Sequence, residues 1–295
     1  MENMNTFNHK NILKKTIDNL LTHYPVFFLL IFLLFACGNN EEKARKLLET
    51  AREYSDKNDF GAAKLQIDSI KILYPKELSV IKEGNVLTWK IELKEQERSL
   101  IYLDSMLIVN KQMIDSLKKT LIFEKDKEYQ TYGIYLDKNQ TVERTIGQSC
   151  LKFQVNEIGE MSMAATVYGR GKGTFNAVKA ETDDGKYVET PALPKDDGNN
   201  YVFTDGGVST QILNFIRKKD NGFIDFLYTY RNNPLKITYS GSVGAYSYSL
   251  TRNEKEALNA IYQLSAALSN TEKLNTEIKA AQAKIEFCKQ AGEFH

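Results

Sequence analysis

The clearest pattern in the chain is a row of positions spaced alternately four and three residues apart. Trp89, Leu93, Gln96, Leu100, Leu103, Leu107, Asn110, Ile114, Leu117 and Leu121 follow it, with Lys90, Glu92, Lys94, Glu95 and Glu97 between them. Such a heptad seam belongs to an α-helix packed along another helix. The spacing predicts a long helix from about Asn85 to Tyr129, with Gly84-Asn85 breaking the chain before it and Tyr132-Gly133 ending it. A second seam runs through Ala257, Ile261, Leu264, Leu268, Thr271, Asn275, Ile278, Gln282 and Ile285. It predicts one continuous helix over 252–290, because the spacing passes unbroken through Ser269-Asn270-Thr271-Glu272, which would otherwise read as a capping box. The polar members Gln96, Asn110 and Asn275 are expected to be buried, setting register at some cost in stability.

Ahead of the first seam, residues 41–75 read as a helical hairpin. Ala44, Leu47, Leu48, Ala51 and Tyr54 form one stripe and Ala63, Ile67, Ile70 and Leu73 a second, with Asn58-Asp59 and Gly61 at the turn and Tyr74-Pro75 as the stop. The Tyr, Gly, Ala and closing Pro resemble one tetratricopeptide unit. No second copy follows, so the hairpin is expected to pack on its neighbour rather than build a solenoid.

Between the helices the period changes to two. Cys150 to Val155 alternates, as do Thr174 to Glu181, Phe223 to Arg231, Leu235 to Ser240 and Val243 to Leu250, with Gly, Asn and Asp clusters separating them. Val208 to Ile216 reads as a short helix inside this region. The expected class is α+β: a hairpin, a long helix, a β-rich sandwich or partial barrel, and a long C-terminal helix packing antiparallel on the first. The segments are 1–36, 37–75, 76–131, 132–250 and 251–295. One geometry for this order is a helical stalk holding a β-rich head roughly 60 Å from the chain's anchor; a compact bundle beside the head is the alternative.

The anchor is read from the front of the chain. Lys10, Lys14 and Lys15 precede the apolar run Val26 to Phe35, whose ten residues would span only about 15 Å as a helix. That is signal-peptide length, half a bilayer's hydrocarbon core. The run ends in Leu34-Phe35-Ala36-Cys37, which resembles a bacterial lipobox; the resemblance implies cleavage before Cys37 and acylation of its thiol. Several acyl chains would hold the protein stably, since one alone is marginal. Gly38, rather than Asp, follows the cysteine and favours outer-membrane sorting, while Glu41-Glu42 resembles a surface-export tether.

Charge and composition remove several classes of function. The chain has 39 basic and 38 acidic side chains, and without the leader 36 of each remain, so no basic excess exists to grip nucleic acid. His9 and His23 lie in the leader and His295 is the last residue. Without an internal histidine, Ser-His and Cys-His nucleophile systems and histidine zinc ligation are excluded. Gly169-Arg170-Gly171-Lys172-Gly173-Thr174 lacks P-loop spacing and reads as a hairpin loop. No cofactor or metal is expected, and Asp196 to Asn200 lacks the spacing of a calcium loop. Asp183-Asp184, Glu189, Asp196-Asp197 and Asp205 look like turn residues, though a hydrolase using two carboxyl groups is a remote alternative. Cys150 and Cys288 are expected to be buried free thiols.

Tyrosine provides the strongest hint of binding. Twelve of sixteen lie between Tyr129 and Tyr262. Read as strands, Tyr228 and Tyr230 share one face with Phe226, and Tyr246 and Tyr248 share another. These four are the candidate ligand-binding residues, stacking on sugar rings or a peptide, unless the faces form the domain core.

Three stretches, Ala63 to Pro75, Phe123 to Gly133 and Asn156 to Met161, make the chain resemble uncharacterised lipoproteins of Bacteroidota. The resemblance implies an envelope location and no particular activity. The expectation is therefore a non-enzymatic, lipid-anchored lipoprotein of the outer membrane, facing the periplasm or the cell surface. It would act as an interaction or scaffold module, with the membrane as partner through lipidated Cys37 and an envelope protein or glycan as a further one. The alternative is a carbohydrate- or peptide-binding surface lipoprotein.

Overall fold

A computed structural model describes residues 38–169, 174–195, 197–242 and 244–293. The leader, Cys37, residues 170–173 where a hairpin loop is expected, Asp196, Val243 and residues 294–295 lie outside the described residues. The fold is mixed α+β, with long helices and two antiparallel sheets. It divides into two units, one formed by residues up to Ile101 together with those from Lys279 onward, the other by Tyr102–Ile278.

The first unit contains the hairpin, α1 (Gly38–Asp56) and α2 (Phe60–Leu73), and the first part of α3 (Leu78–Lys118). Asp59 caps α2 by accepting the Ala62 N–H at 3.1 Å, which supplies one of the donors a helix start leaves unpaired. Ala51, Phe60, Ala63, Ile67 and Ile91 form one buried layer, and Ala44, Leu48, Ile70 and Val80 the next. Helix α3 passes straight through Gly84-Asn85, correcting the expected break. A Cβ on Gly84 would stand 3.1 Å from Ile67 Cγ2, so the glycine permits a close helix crossing rather than a stop. A lone mid-helix glycine costs about 1 kcal/mol relative to Ala, which packing offsets.

Helix α3 also ends earlier than its spacing predicts, at Lys118 instead of Tyr129. Thr120 and Leu121 donate to the carbonyls of Leu117 and Lys118, tightening the last turn. Ile122–Glu124 then forms β1, and the Asp126 carboxylate accepts the N–H groups of Glu128 and Tyr129 in a turn.

The second unit's larger sheet has the order β1 (Ile122–Glu124), β2 (Ile134–Leu136), β3 (Cys150–Asn156), β4 (Met161–Gly169), β8 (Val208–Ile216), β7 (Asn200–Asp205). The smaller has β10 (Gly244–Ser249), β9 (Leu235–Gly241), β5 (Phe175–Thr182), β6 (Tyr187–Glu189). The helix expected at Val208 to Ile216 is thus a strand, with Gln211, Leu213 and Phe215 buried at alternate positions. Conversely, the strand expected at Phe223 to Arg231 is helix α5 (Phe223–Thr229), following the short α4 (Val142–Thr145). Buried Phe223, Ile224 and Leu227 have helical spacing, and fully buried Asp220 caps them by accepting from Lys218, Gly222 and Ile224 N–H.

Residues of both sheets, α5 and the first half of α6 (Arg252–Glu293) share one core around Tyr239, Phe153 and Phe223. Helix α6 is continuous, as the spacing predicts. It starts with a capping box in which Glu254 accepts from Thr251 N–H while Thr251 Oγ1 accepts from Glu254 N–H. Its second carboxylate oxygen accepts from Leu151 N–H on β3 at 2.8 Å, tying helix to sheet.

Helices α3 and α6 pack antiparallel. In the second unit buried Asn110 donates to Ala267 O and Thr271 Oγ1, and in the first Glu92 pairs with Lys284 at 2.8 Å. The α3 seam holds as far as Leu117, with Asn110 buried as expected and Gln96 only half-buried. The α6 seam instead passes through Ala267, Leu274, Ala281 and Cys288, all buried, while Asn275, expected to be buried, and Gln282 are exposed. Small side chains hold that contact, and a search for large apolar residues shifts the stripe by one position. The two described cysteines, Cys150 and Cys288, are free and buried.

Candidate functional site

The four tyrosines of the sequence analysis do not form a common platform. Tyr228 and Tyr230 lie on α5, where Tyr228 stacks on Tyr262 with ring centroids 3.7 Å apart and Tyr230 packs on Phe226. Tyr246 and Tyr248 do share a face of β10, but that face rests on the core residue Tyr239. The Tyr248 hydroxyl donates to Glu254 Oε1 at 2.7 Å, and burial pushes its pKa well above the usual tyrosine value. All four are half-buried side chains with neighbours of their own.

A cleft of about 930 Å³ lies instead on the outer face of the larger sheet. Strand alternation builds it: Leu151, Phe153, Met163, Ala165, Leu213 and Phe215 face the core, so Lys152, Gln154, Ser162, Ala164, Thr166, Thr210 and Asn214 face outward. Ladder register places them in rows. Tyr168, Thr210 and Phe203 are paired across β4, β8 and β7, and so are Thr166, Ile212 and Tyr201. With strands about 4.8 Å apart, Tyr168 and Phe203 stand roughly 10 Å apart over a threonine floor, a slot one ring wide. Lys152, Ala164 and Asn214 form a polar row across β3, β4 and β8.

The rim opposite β7 comes from α4 and the loop after it, where Val142 and Ile146 are exposed apolar side chains. Gly147 at φ +73° follows, 3.7 Å from the Tyr168 ring if it carried a Cβ. On the other wall Tyr201 and Phe203 are 45% and 53% exposed, so neither is spent on the core. The Glu143 carboxyl on α4 is held below its usual range by its own backbone N–H and by Thr141, with a smaller contribution from the Lys152 charge. Among the described lining residues Asp205 is the one carboxylate.

A second hollow of about 300 Å³ shares Gln154, Ser162 and Ile216 with the cleft and continues to Tyr132 and Ile134. Together they form a trough running along the strands. The sequence reading missed it because β4 and β7 were not recognised as strands. The signal was present in the small residues Ser162, Ala164 and Thr166 at alternate positions, which leave room above a sheet.

The fold and site define a class: an α+β protein whose two-sheet domain carries an open trough with aromatic walls and a small, polar floor. Compared with known proteins, the chain matches no family model and no curated protein. Among the described residues no helix is long and apolar enough to cross a membrane, and no three His, Cys, Asp or Glu side chains are grouped to hold a metal ion.

Proposed function

We propose that the chain is a non-enzymatic, lipid-anchored cell-envelope lipoprotein whose β-rich domain is a binding module, and that the sheet trough holds a glycan. The observation that carries this reading is the trough itself: exposed Tyr201 and Phe203 across a threonine floor from Tyr168, continued by Gln154, Asn214 and Lys152. Aromatic faces suit the C–H faces of sugar rings, and amide and ammonium groups suit their hydroxyls. The carboxylates lining the trough, Asp205 and Glu160, lie at opposite ends of the strands, roughly 25 Å or more apart at the rise of a strand, too far for the paired acids of a hydrolase. Acylated Cys37 would keep the module at the outer membrane.

The test is calorimetric titration of the mature chain with a panel of soluble envelope-type oligosaccharides. Binding is expected, and Tyr201→Ala with Phe203→Ala should weaken it by about tenfold or more. Absence of binding across the panel, or unchanged affinity in the double variant, would reject the glycan.

A second reading rests on a different observation. Strand β7 is an edge of the larger sheet, with Tyr201, Val202 and Phe203 all exposed. Such an edge can accept an extended peptide as an added strand. Peptide binding abolished by Val202→Pro and indifferent to sugars would favour it.

A further inference from the structure

The trough leaves unexplained a second exposed apolar surface, in the first unit, at the corner joining α2 to α3. Ile72, Leu73 and Leu78 are 75%, 62% and 73% exposed. Leu73 closes α2 and Leu78 opens α3, with Tyr74-Pro75 between them. The hairpin's layers locate this corner relative to the chain's N-terminal side. Ala51 shares a layer with Ala63, and Ala44 shares the next with Ile70. Continuing that antiparallel register by one turn brings Glu41 level with Leu73. Arg45 of α1, salt-bridged to Glu41 at 2.9 Å and to Glu83 of α3 at 3.3 Å, ties the same end together. The start of α1 at Gly38 and the exposed corner therefore lie at the same end of the unit, and Cys37 is the next residue in sequence.

We propose that this corner is a membrane foot: Ile72, Leu73 and Leu78 enter the lipid interface beside acylated Cys37. The inference rests on the lipid-anchored reading and adds an orientation to it. The occupant is a lipid surface because the bilayer that takes the anchor is already within reach of the corner. Charge contributes little, since two of Lys71, Lys76 and Lys82 are offset by Asp68 and Glu77, with Lys71 and Asp68 3.4 Å apart. Apolar insertion to a depth of about 5–10 Å is the mode that fits. The foot would hold the first unit in a fixed attitude on the membrane, where a single flexible attachment would let it swing.

The protein's one tryptophan, Trp89, lies eleven residues up α3 from Leu78, about 16 Å along the axis. It provides a background for a quenching experiment on the full mature, acylated protein in phosphatidylethanolamine–phosphatidylglycerol vesicles, with lipids brominated near the headgroup end of the chains. Mass spectrometry of Cys37 and flotation with the vesicles test the anchor. Emission from Leu73→Trp and Leu78→Trp tests the foot, and Ser99→Trp, an exposed site higher on α3, is the control. The expected result is flotation, quenching of the 73 and 78 probes by about half or more, an unquenched 99 probe, and no change in 1 M salt. Flotation with unquenched 73 and 78 probes would overturn the foot and leave the anchor standing. Quenching abolished by salt would overturn insertion in favour of a charge contact. An unacylated protein that does not float would overturn both. Circular dichroism matching the wild type confirms that each variant is folded.

Discussion

The two units solve the same backbone problem in different ways. In the first, helices pair their own backbone groups, so only side-chain packing has to be supplied. Two thin layers do this, and three of their nine buried residues are alanines that let helices approach closely. In the second, twenty-five buried residues form one core, but the sheets leave backbone groups that no strand reaches. Buried polar side chains take those places. Gln140 donates to Leu151 O and accepts from Phe153 N–H, and Gln211 does the same for Phe175, while Glu254 accepts from Leu151 N–H. An unpaired buried backbone group costs about 1–3 kcal/mol, so these brackets are as much a part of the fold as the apolar core. The lesson is that the helical unit tolerates change wherever small size is kept, and the sheet unit wherever both shape and donors are kept.

The sharpest test of that contrast is Phe153→Ala. Phe153 is 1% exposed, sits at the centre of the larger sheet, and its loss should cost about 4 kcal/mol in transfer and cavity terms together. Hydrogen exchange should accelerate across β3, β4 and β8 while α1 and α2 keep their protection. Equal acceleration in both units would show that the core difference does not set their stability.

The helical unit was readable because its signal is local. Hairpin, turn and capping Asp59 fall within 35 residues, and the α3 seam from Leu100 to Leu117 is the set of side chains withdrawn from solvent. Gly84 misled because a glycine in a helical pattern has two meanings, and Ile67 against it exists only in the folded chain. The stretch Phe223 to Tyr230 alternates well enough for a strand; Asp220, three residues upstream, decides for a helix by capping it. The candidate site was less readable still. Tyr228, Tyr230, Tyr246 and Tyr248 are conspicuous by composition, yet the trough depends on Thr210, Ala164 and Ser162, whose role is to be small. Absence of bulk becomes visible only after strands are paired.

Alkaline pH should separate the units more gently. Burial, assisted by the nearby Glu254 charge, pushes the Cys150 thiol up from about 9 to about 11. The folded protein thus holds a proton that the unfolded chain releases between those values. Stability from this group is complete below pH 9 and falls as pH rises through 11, by about 2–3 kcal/mol in total. Tyr239, raised by burial, acts in the same direction. Denaturant midpoints of the sheet unit at pH 8 and pH 10.5 should differ accordingly, and Cys150→Ala should flatten part of the slope. A pH-independent midpoint would mean that the β3 thiol is far less enclosed than its position implies.

The smallest effect is expected where the helical unit shows its most visible polar contacts. Glu83 of α3 bridges Arg45 at 3.3 Å and Arg52 at 2.9 Å on α1, so it links the hairpin to the long helix. All three side chains are more than a third exposed, and water and salt screen them. Glu83→Gln should lower the melting temperature by no more than about 2–3 °C at low salt, and by less in 1 M sodium chloride. Ala63→Leu, by contrast, removes no charge but forces bulk into a layer where α2 meets its neighbours, and should cost more than the whole ion network. If Glu83→Gln proved the more damaging of the two, the first unit would be held by its charges, and close packing of small residues would be a consequence of that attraction rather than its cause.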